Sequence, residues 1–170
     1  MRKNFKGMYL ILDGLVMLAF LLLDQFTKHL AIVHLKGQSA LVLIDGVLEL
    51  QYVENTGVAF SMFQNRKIFI LIMGFAVLGV VFFFLLKLPR QKKFLAVHIL
   101  LSVLMAGALG NIIDRIRFDF VVDFISFVLI HYPVFNVADC YIVVSTIVLV
   151  ILFMFVYREE DMGWISSALK

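Results

Sequence analysis

The sequence predicts an all-α integral membrane protein: four transmembrane helices with a small extracytoplasmic β-hairpin. Three observations carry this. Of 170 residues, 63% are hydrophobic and 16% charged, whereas water-soluble domains carry about a quarter charged residues. Unbroken apolar runs recur at lengths of about 20 residues, the length of helix that crosses a hydrocarbon core of about 30 Å. Between the first two runs, Asp45-Gly46 joins two β-prone stretches, a turn favoured in hairpins. Disordered, nucleic-acid-binding and ordinary cytosolic classes drop out together, and no nucleic-acid partner is expected. The formal charge of +3 is therefore read by its position relative to the spans.

In chain order, the first span runs over about residues 8–28, from Met8 through Leu21-Leu22-Leu23 to Lys28. Arg2, Lys3 and Lys6 precede it, as they would in a signal peptide, but no small-residue cleavage site follows, so it is expected to stay in the chain. The hairpin follows, Leu41-Val-Leu-Ile and Val47-Leu-Glu-Leu-Gln-Tyr, with Leu48, Leu50 and Tyr52 on one face and Glu49 and Gln51 on the other. The second span covers 68–86, the third 94–113 and the fourth 137–156. Pro89 breaks the link between the middle two and Pro133 stands just before the last. The tail from Arg158 reads as a short surface helix or as disordered. With no internal repeat, residues 1–170 form one membrane domain.

Lys87, Arg90, Lys92 and Lys93 crowd the seven-residue link between spans 2 and 3, and with the three N-terminal cations they assign that side to the cytoplasm. Both termini are then cytoplasmic, and residues of about 29–67 and 114–135 lie outside. The outer end gathers the polar residues: Asp24, Asn55, Asn111, Asp114, Arg115, Asp123, Asn136 and Asp139. Such groups beside hydrocarbon are costly, so function is the default reading.

Each has a plainer alternative. Asp24 could pair with Lys28 at the membrane surface, Asn136 could be only the N-cap of span 4, and Asp114 and Arg115 could be an interfacial charge pair. Asp13, near the inner end of span 1, reads as a headgroup-level residue. The small residues Ala106, Gly107, Ala108 and Gly110 read as a helix-packing seam or a groove for a substrate helix. The one cysteine, Cys140, excludes an intramolecular disulfide and a CxxC pair. A thiol site of Cys140 with His131 has no spacing rule behind it.

Asp123 and Asp139 sit in apolar settings, Val121-Val-Asp-Phe-Ile and Phe135-Asn-Val-Ala-Asp. If they meet, they can share one proton, the arrangement with which paired carboxylates activate water. A small proton or cation carrier would also use buried acids, but carriers place their site near the midplane between repeated halves. A non-enzymatic assembly protein and a presenilin-like protease are the other rivals, and no Gly-x-Gly-Asp occurs.

Five segments, Asp24-Gln-Phe-Thr-Lys, Asn55-Thr-Gly-Val-Ala-Phe-Ser, Gly107-Ala-Leu-Gly-Asn-Ile-Ile-Asp-Arg, Val121-Val-Asp-Phe-Ile and Phe135-Asn-Val-Ala-Asp, together resemble the lipoprotein signal peptidase family, the type II signal peptidases of bacteria. The resemblance implies a four-helix membrane aspartyl endopeptidase with an outer β-cradle. Its substrates would be diacylglyceryl-modified prolipoproteins, cut at the lipobox cysteine, with no metal or nucleotide cofactor. It further implies a multi-pass protein of the bacterial cytoplasmic membrane, in contact with membrane lipid, with its site at the outer face; a monomer is expected, although the sequence itself does not fix the oligomeric state. The catalytic pair falls on Asp123 and Asp139. Asn55, Gly57, Asn111, Arg115 and Asn136 fall on positions that place substrate, and Asp24 and Asp114 on further polar positions. Val58 and Cys140 depart mildly from the family pattern.

Overall fold

The computed structural model describes residues 2–57, 62–63 and 66–168. Helix α1 (Arg2–Leu35) leads into strands β1 (Leu41–Ile44) and β2 (Leu48–Asn55). Helix α2 (Lys67–Lys87) and α3 (Leu95–Phe118) are joined through a 3-10 turn, Lys92–Phe94. Strand β3 (Val121–Phe127) follows, and α4 (Val137–Ile151) runs on as a π turn to Val156. A 3-10 turn, Glu159–Met162, and a short helix α5 (Gly163–Ala168) complete the chain.

Four stretches are long and apolar enough to cross a membrane: Gly7–Leu35, Lys67–Lys87, Lys92–Phe118 and Val137–Val156. The second and the last lie where the hydropathy put them. The first is longer than expected, since α1 continues past Lys28 to Leu35 and so holds Asp24 and Lys28 well inside the helix. The third runs on to Phe118, which draws Asn111, Asp114 and Arg115 onto its last turns. Large apolar side chains such as Leu15, Ile72, Phe82, Val144 and Phe155 face outward, as lipid-facing surfaces do.

Helix α3 is the centre of the bundle. Half of its apolar stretch is buried, against 17%, 17% and 11% for the other three spans. The small residues make this possible. A Cβ on Gly107 would stand 2.6 Å from the Ala138 carbonyl oxygen, and one on Gly110 would stand 2.2 Å from Asp24 Oδ2. At Gly107 and Gly110 the seam is thus occupied by α4 and by the Asp24 carboxylate and serves packing, whereas Ala108 lines a cavity.

The hairpin forms as expected and gains a partner that hydropathy did not announce. The sheet order is β1-β2-β3, antiparallel throughout, with Val53 opposite Asp123 and Asn55 opposite Val121. Leu50 and Tyr52 pack with Ala31, Leu35, Val122 and Phe124, seating the sheet on the end of α1. A register shift between Leu50 and Val53 interrupts the alternation, so β2 is half-buried along nearly all its length rather than wet on one face.

At the other end the tail is packed, not loose. Phe94 stacks on Tyr157 at 5.2 Å, Trp164 meets Phe84 and Phe94 edge-on, and the Tyr157 hydroxyl donates to the Lys93 carbonyl at 2.8 Å. Asp13 is likewise not at headgroup level. It is buried beside His98, whose Nδ1 lies 3.0 Å from its carboxylate, and the pair pins α1 to α3.

Candidate active site

Four elements deliver the polar residues to the sheet end of the bundle. Strand β2 brings Asn55, β3 brings Asp123, and α3 with the start of α4 brings Asn111, Arg115, Asn136 and Asp139. Asp123 is 2% exposed, while Asp139 is half-buried and, with Asp123, lines a cavity of about 820 Å³.

Asn136 ties the two acids together. As N-cap of α4 its Oδ1 accepts the Asp139 N–H at 3.1 Å, and Asp139 Oδ2 accepts the Asn136 N–H at 3.1 Å. That reciprocal capping box fixes the Asp139 carboxylate against the helix start. The free end of the same side chain, Nδ2, donates to Asp123 Oδ1 at 2.6 Å. Asn136 is therefore both a cap and a bridge, with no exposure to solvent.

Each carboxylate has a second amide. Asn111 Nδ2 donates to Asp139 Oδ1 at 2.8 Å, and Asn55 Nδ2 donates to Asp123 Oδ2 at 2.8 Å. Asn55 has no choice of orientation, because its Oδ1 accepts the Gly57 N–H at 2.9 Å. Gly57 is buried, and its carbonyl takes a hydrogen bond from Arg115 Nη2 at 2.6 Å. Arg115 Nη1 donates to the Asn111 carbonyl at 3.1 Å. The guanidinium thus fastens the Asn55–Gly57 turn to α3, and Arg115 does not pair with Asp114.

Asp114 pairs instead with Lys28, at 3.0 Å, and Lys28 also meets Asp24 at 3.1 Å and Asn111 Oδ1 at 2.8 Å. The expected Asp24 and Lys28 pair exists, but all three charged groups are buried rather than at a surface. Gln25 adds a hydrogen bond to Asp114 at 3.0 Å. Lys28 is the residue the sequence reading passed over as a surface partner. Its signal was the i+4 spacing to Asp24 within a helix that continues past both.

Burial and the neighbouring Asp139 charge push the Asp123 carboxyl up to about 7, against hydrogen bonds from Asn55 and Asn136 that pull the other way. Asp123 therefore holds its proton below about pH 7 and loses it above. Cys140 lines a separate apolar cleft with Phe20, Val103 and Val144, and His131 sits exposed in a turn. Neither lines the cavity of the two acids, so the thiol arrangement has no support. Val58 lies outside the described residues.

Phe69, Met73 and Val77 from α2 and Ile142 and Val143 from α4 give the cavity an apolar wall, while Glu54, Thr56 and Tyr132 also line it. Fold and site together define a polytopic membrane protein with a paired-carboxylate centre beside an apolar cleft. Comparison with known proteins narrows this to one family. The family described as signal peptidase (SPase) II matches residues 16–155. The lipoprotein signal peptidase of Caldanaerobacter subterraneus is 41% identical over 144 residues, 84% of this chain and 96% of its own. That of Streptococcus thermophilus is 34% identical over 144 residues, 85% and 91%. Two solved structures described as bacterial membrane enzymes superpose with TM-scores of 0.75 and 0.71 at 27% identity, covering 84% and 85% of this chain and 87% and 94% of theirs. The chain belongs to the lipoprotein signal peptidase family, the signal peptidases II, which remove signal peptides from prolipoproteins. The carrier and assembly-protein readings fall away with that membership.

Proposed function

We propose that this chain is an aspartic endopeptidase that cuts diacylglyceryl-modified prolipoproteins at the lipobox cysteine, with Asp123 and Asp139 as its catalytic pair. The observation that carries the reading is the Asn136 bridge, which holds the two carboxylates at one cavity. Asp139, the more exposed of the two, is the base; Asp123, buried and carrying the proton, is the acid. Asp139 takes a proton from water as the water oxygen bonds to the scissile carbonyl carbon. Asp123 gives its proton to the carbonyl oxygen, forming a tetrahedral diol. The C–N bond then breaks as Asp139 returns its proton to the leaving nitrogen and Asp123 recovers one from a diol hydroxyl. Water is consumed and the pair ends as it began.

The apolar cleft between α2 and α4 suits a substrate whose signal helix and acyl chains are apolar. Binding energy gained there positions an otherwise ordinary peptide bond at the acids. The basic segments support a cytoplasmic location for both termini and an outer location for the pair. Arg2, Lys3, Lys6 and the cluster from Lys87 to Lys93 all lie at the end away from the sheet. Reporters fused after Lys92 are expected to behave as cytoplasmic and a tag inserted near Gly37 as external; the reverse labelling would overturn this orientation.

The pH dependence tests the mechanism. Because the native Asp123 carboxyl is raised to about 7, activity should fall as pH rises through about 7, where the pair loses its shared proton. An acid limb appears where the second carboxylate protonates, giving a bell. Stability follows the same sign. The unfolded Asp123 releases its proton near 3.8 and the native one near 7, so this group's contribution is largest below about 4 and declines up to about 7. Profiles of kcat/KM on a synthetic diacylated lipopeptide read the limbs. A rate flat from pH 5 to 9 would remove the shared-proton mechanism.

A further inference from the structure

Lys28 is 2% exposed and spends its three N–H bonds on three oxygens: Asp24 Oδ2, Asp114 Oδ2 and Asn111 Oδ1. Each of those partners leads to the two acids. Asp24 Oδ1 accepts the N–H of Ala138 at 3.2 Å, the residue immediately before Asp139. Asp114 Oδ2 accepts the N–H of Val122 at 3.2 Å, the residue immediately before Asp123. Asn111 gives its Nδ2 to Asp139 itself at 2.8 Å. One buried ammonium on α1 thus holds, through two carboxylates, the backbone beside each acid, and through an amide, one of the acids directly.

We propose that Lys28 is a positioning residue, which sets the placement of β3 against α4 and the orientation of the Asn111 amide, and so the geometry of Asp123 and Asp139; the inference rests on the reading of those two as the catalytic pair. The amide argument is one of donors and acceptors. An ammonium cannot accept a hydrogen bond, so the end of Asn111 that faces Lys28 must be Oδ1, and Nδ2 is left for Asp139. An N–H aimed at Asp139 fixes the direction of its carboxylate at the cavity. Without the ammonium, that orientation is held only by the Asp139 carboxylate and by the longer contact from Asn136 Nδ2 to Asn111 Oδ1, at 3.2 Å. A reversed amide would present an oxygen to the Asp139 carboxylate and push it out of place. The charge matters as well. Asp24 and Asp114 both bind Lys28, and their like charges separate the anchors of β3 and α4 once it is gone.

The test uses the purified full-length protein and a synthetic diacylated lipopeptide, with Lys28→Met, Lys28→Arg and the neutralised triple variant Lys28→Met, Asp24→Asn, Asp114→Asn. The triple variant keeps an acceptor oxygen at each anchor and leaves no unpaired buried charge, so it guards against a Lys28→Met chain that fails to fold. Expected is a loss of kcat of roughly 100-fold in Lys28→Met and in the triple variant, with KM changed less than about threefold. Lys28→Arg should restore part of the rate. A folded triple variant with the parent's kcat would overturn the proposal, and so would losses of rate that track only the folded fraction. Asp139→Asn is run alongside: an inactive Asp139→Asn beside a normal triple variant sinks the Lys28 inference alone, whereas an active Asp139→Asn sinks the catalytic assignment beneath it.

Discussion

Asp139→Asn and Asp123→Asn are each expected to lower cleavage of a diacylated prolipoprotein by about 1,000-fold or more, because each removes one half of a proton-transfer unit. An amide at 139 cannot take a proton from water, and an amide at 123 cannot deliver one to the carbonyl oxygen. The double variant should be scarcely worse than either single one, since residues acting as a unit give strongly non-additive losses. The changes are nearly isosteric, but Asn keeps one acceptor oxygen where each carboxylate uses two, so one of the two N–H donors at each position loses its acceptor. Folded yield in detergent should fall modestly, far less than the rate. Asp24→Asn and Asp114→Asn should cost less, because Asn can still accept from Ala138 and Val122. Rates at matched folded protein, read by release of the signal peptide, separate these cases. Turnover by either single variant within tenfold of the parent would reject the pair.

What the sequence disclosed and what it hid divide along a physical line. The unbroken apolar run of α2 placed that helix to within a residue at each end, because lipid demands nothing else of it. Helix α1 was cut short at Asp24-Gln-Phe-Thr-Lys, since polar residues in a row read as the exit into water. They stay inside the helix because Asp24 and Lys28 find each other and Asp114 across α3, a partner 86 residues further on from Lys28. Asp13 was misplaced for the same reason, its partner His98 lying 85 residues away. The strand at Val121–Phe127 has the β-branched and aromatic composition of a strand, yet its pairing is with β2, some 70 residues earlier, and no local pattern states that. The two acids were legible because charged groups in apolar settings are costly and so informative. The direction of each amide around them was not. Asn136 was foreseen as a cap, but which way Asn111 and Asn136 turn their Nδ2 atoms is settled by Lys28 and by the Asp123 carboxylate, both distant in sequence.

Gly110→Ala should be the most damaging change outside the charged groups. The added Cβ would stand 2.2 Å from Asp24 Oδ2 and 3.0 Å from Asp24 Cγ, so the carboxylate or one of the helices must move by an ångström or so. Asp24 is a short side chain with little freedom to yield. Its Oδ2 is held by Lys28 at 3.1 Å and its Oδ1 by the Ala138 N–H at 3.2 Å, one residue from Asp139. Displacing it moves the start of α4 relative to β3, and a misplacement of about 1 Å at reacting groups costs about 100-fold in rate. Overpacking adds a stability loss of about 1–3 kcal/mol. Gly79→Ala is the matched control: it lies on α2 with nothing within 4 Å of the added Cβ, and alanine is the better helix former by about 1 kcal/mol. It should leave cleavage and Tm near or slightly above the parent. Equal behaviour of the two variants would mean that the contact of Asp24 with α3 does not govern the placement of α4, and with it that the small-residue seam has no part in holding Asp139 opposite Asp123.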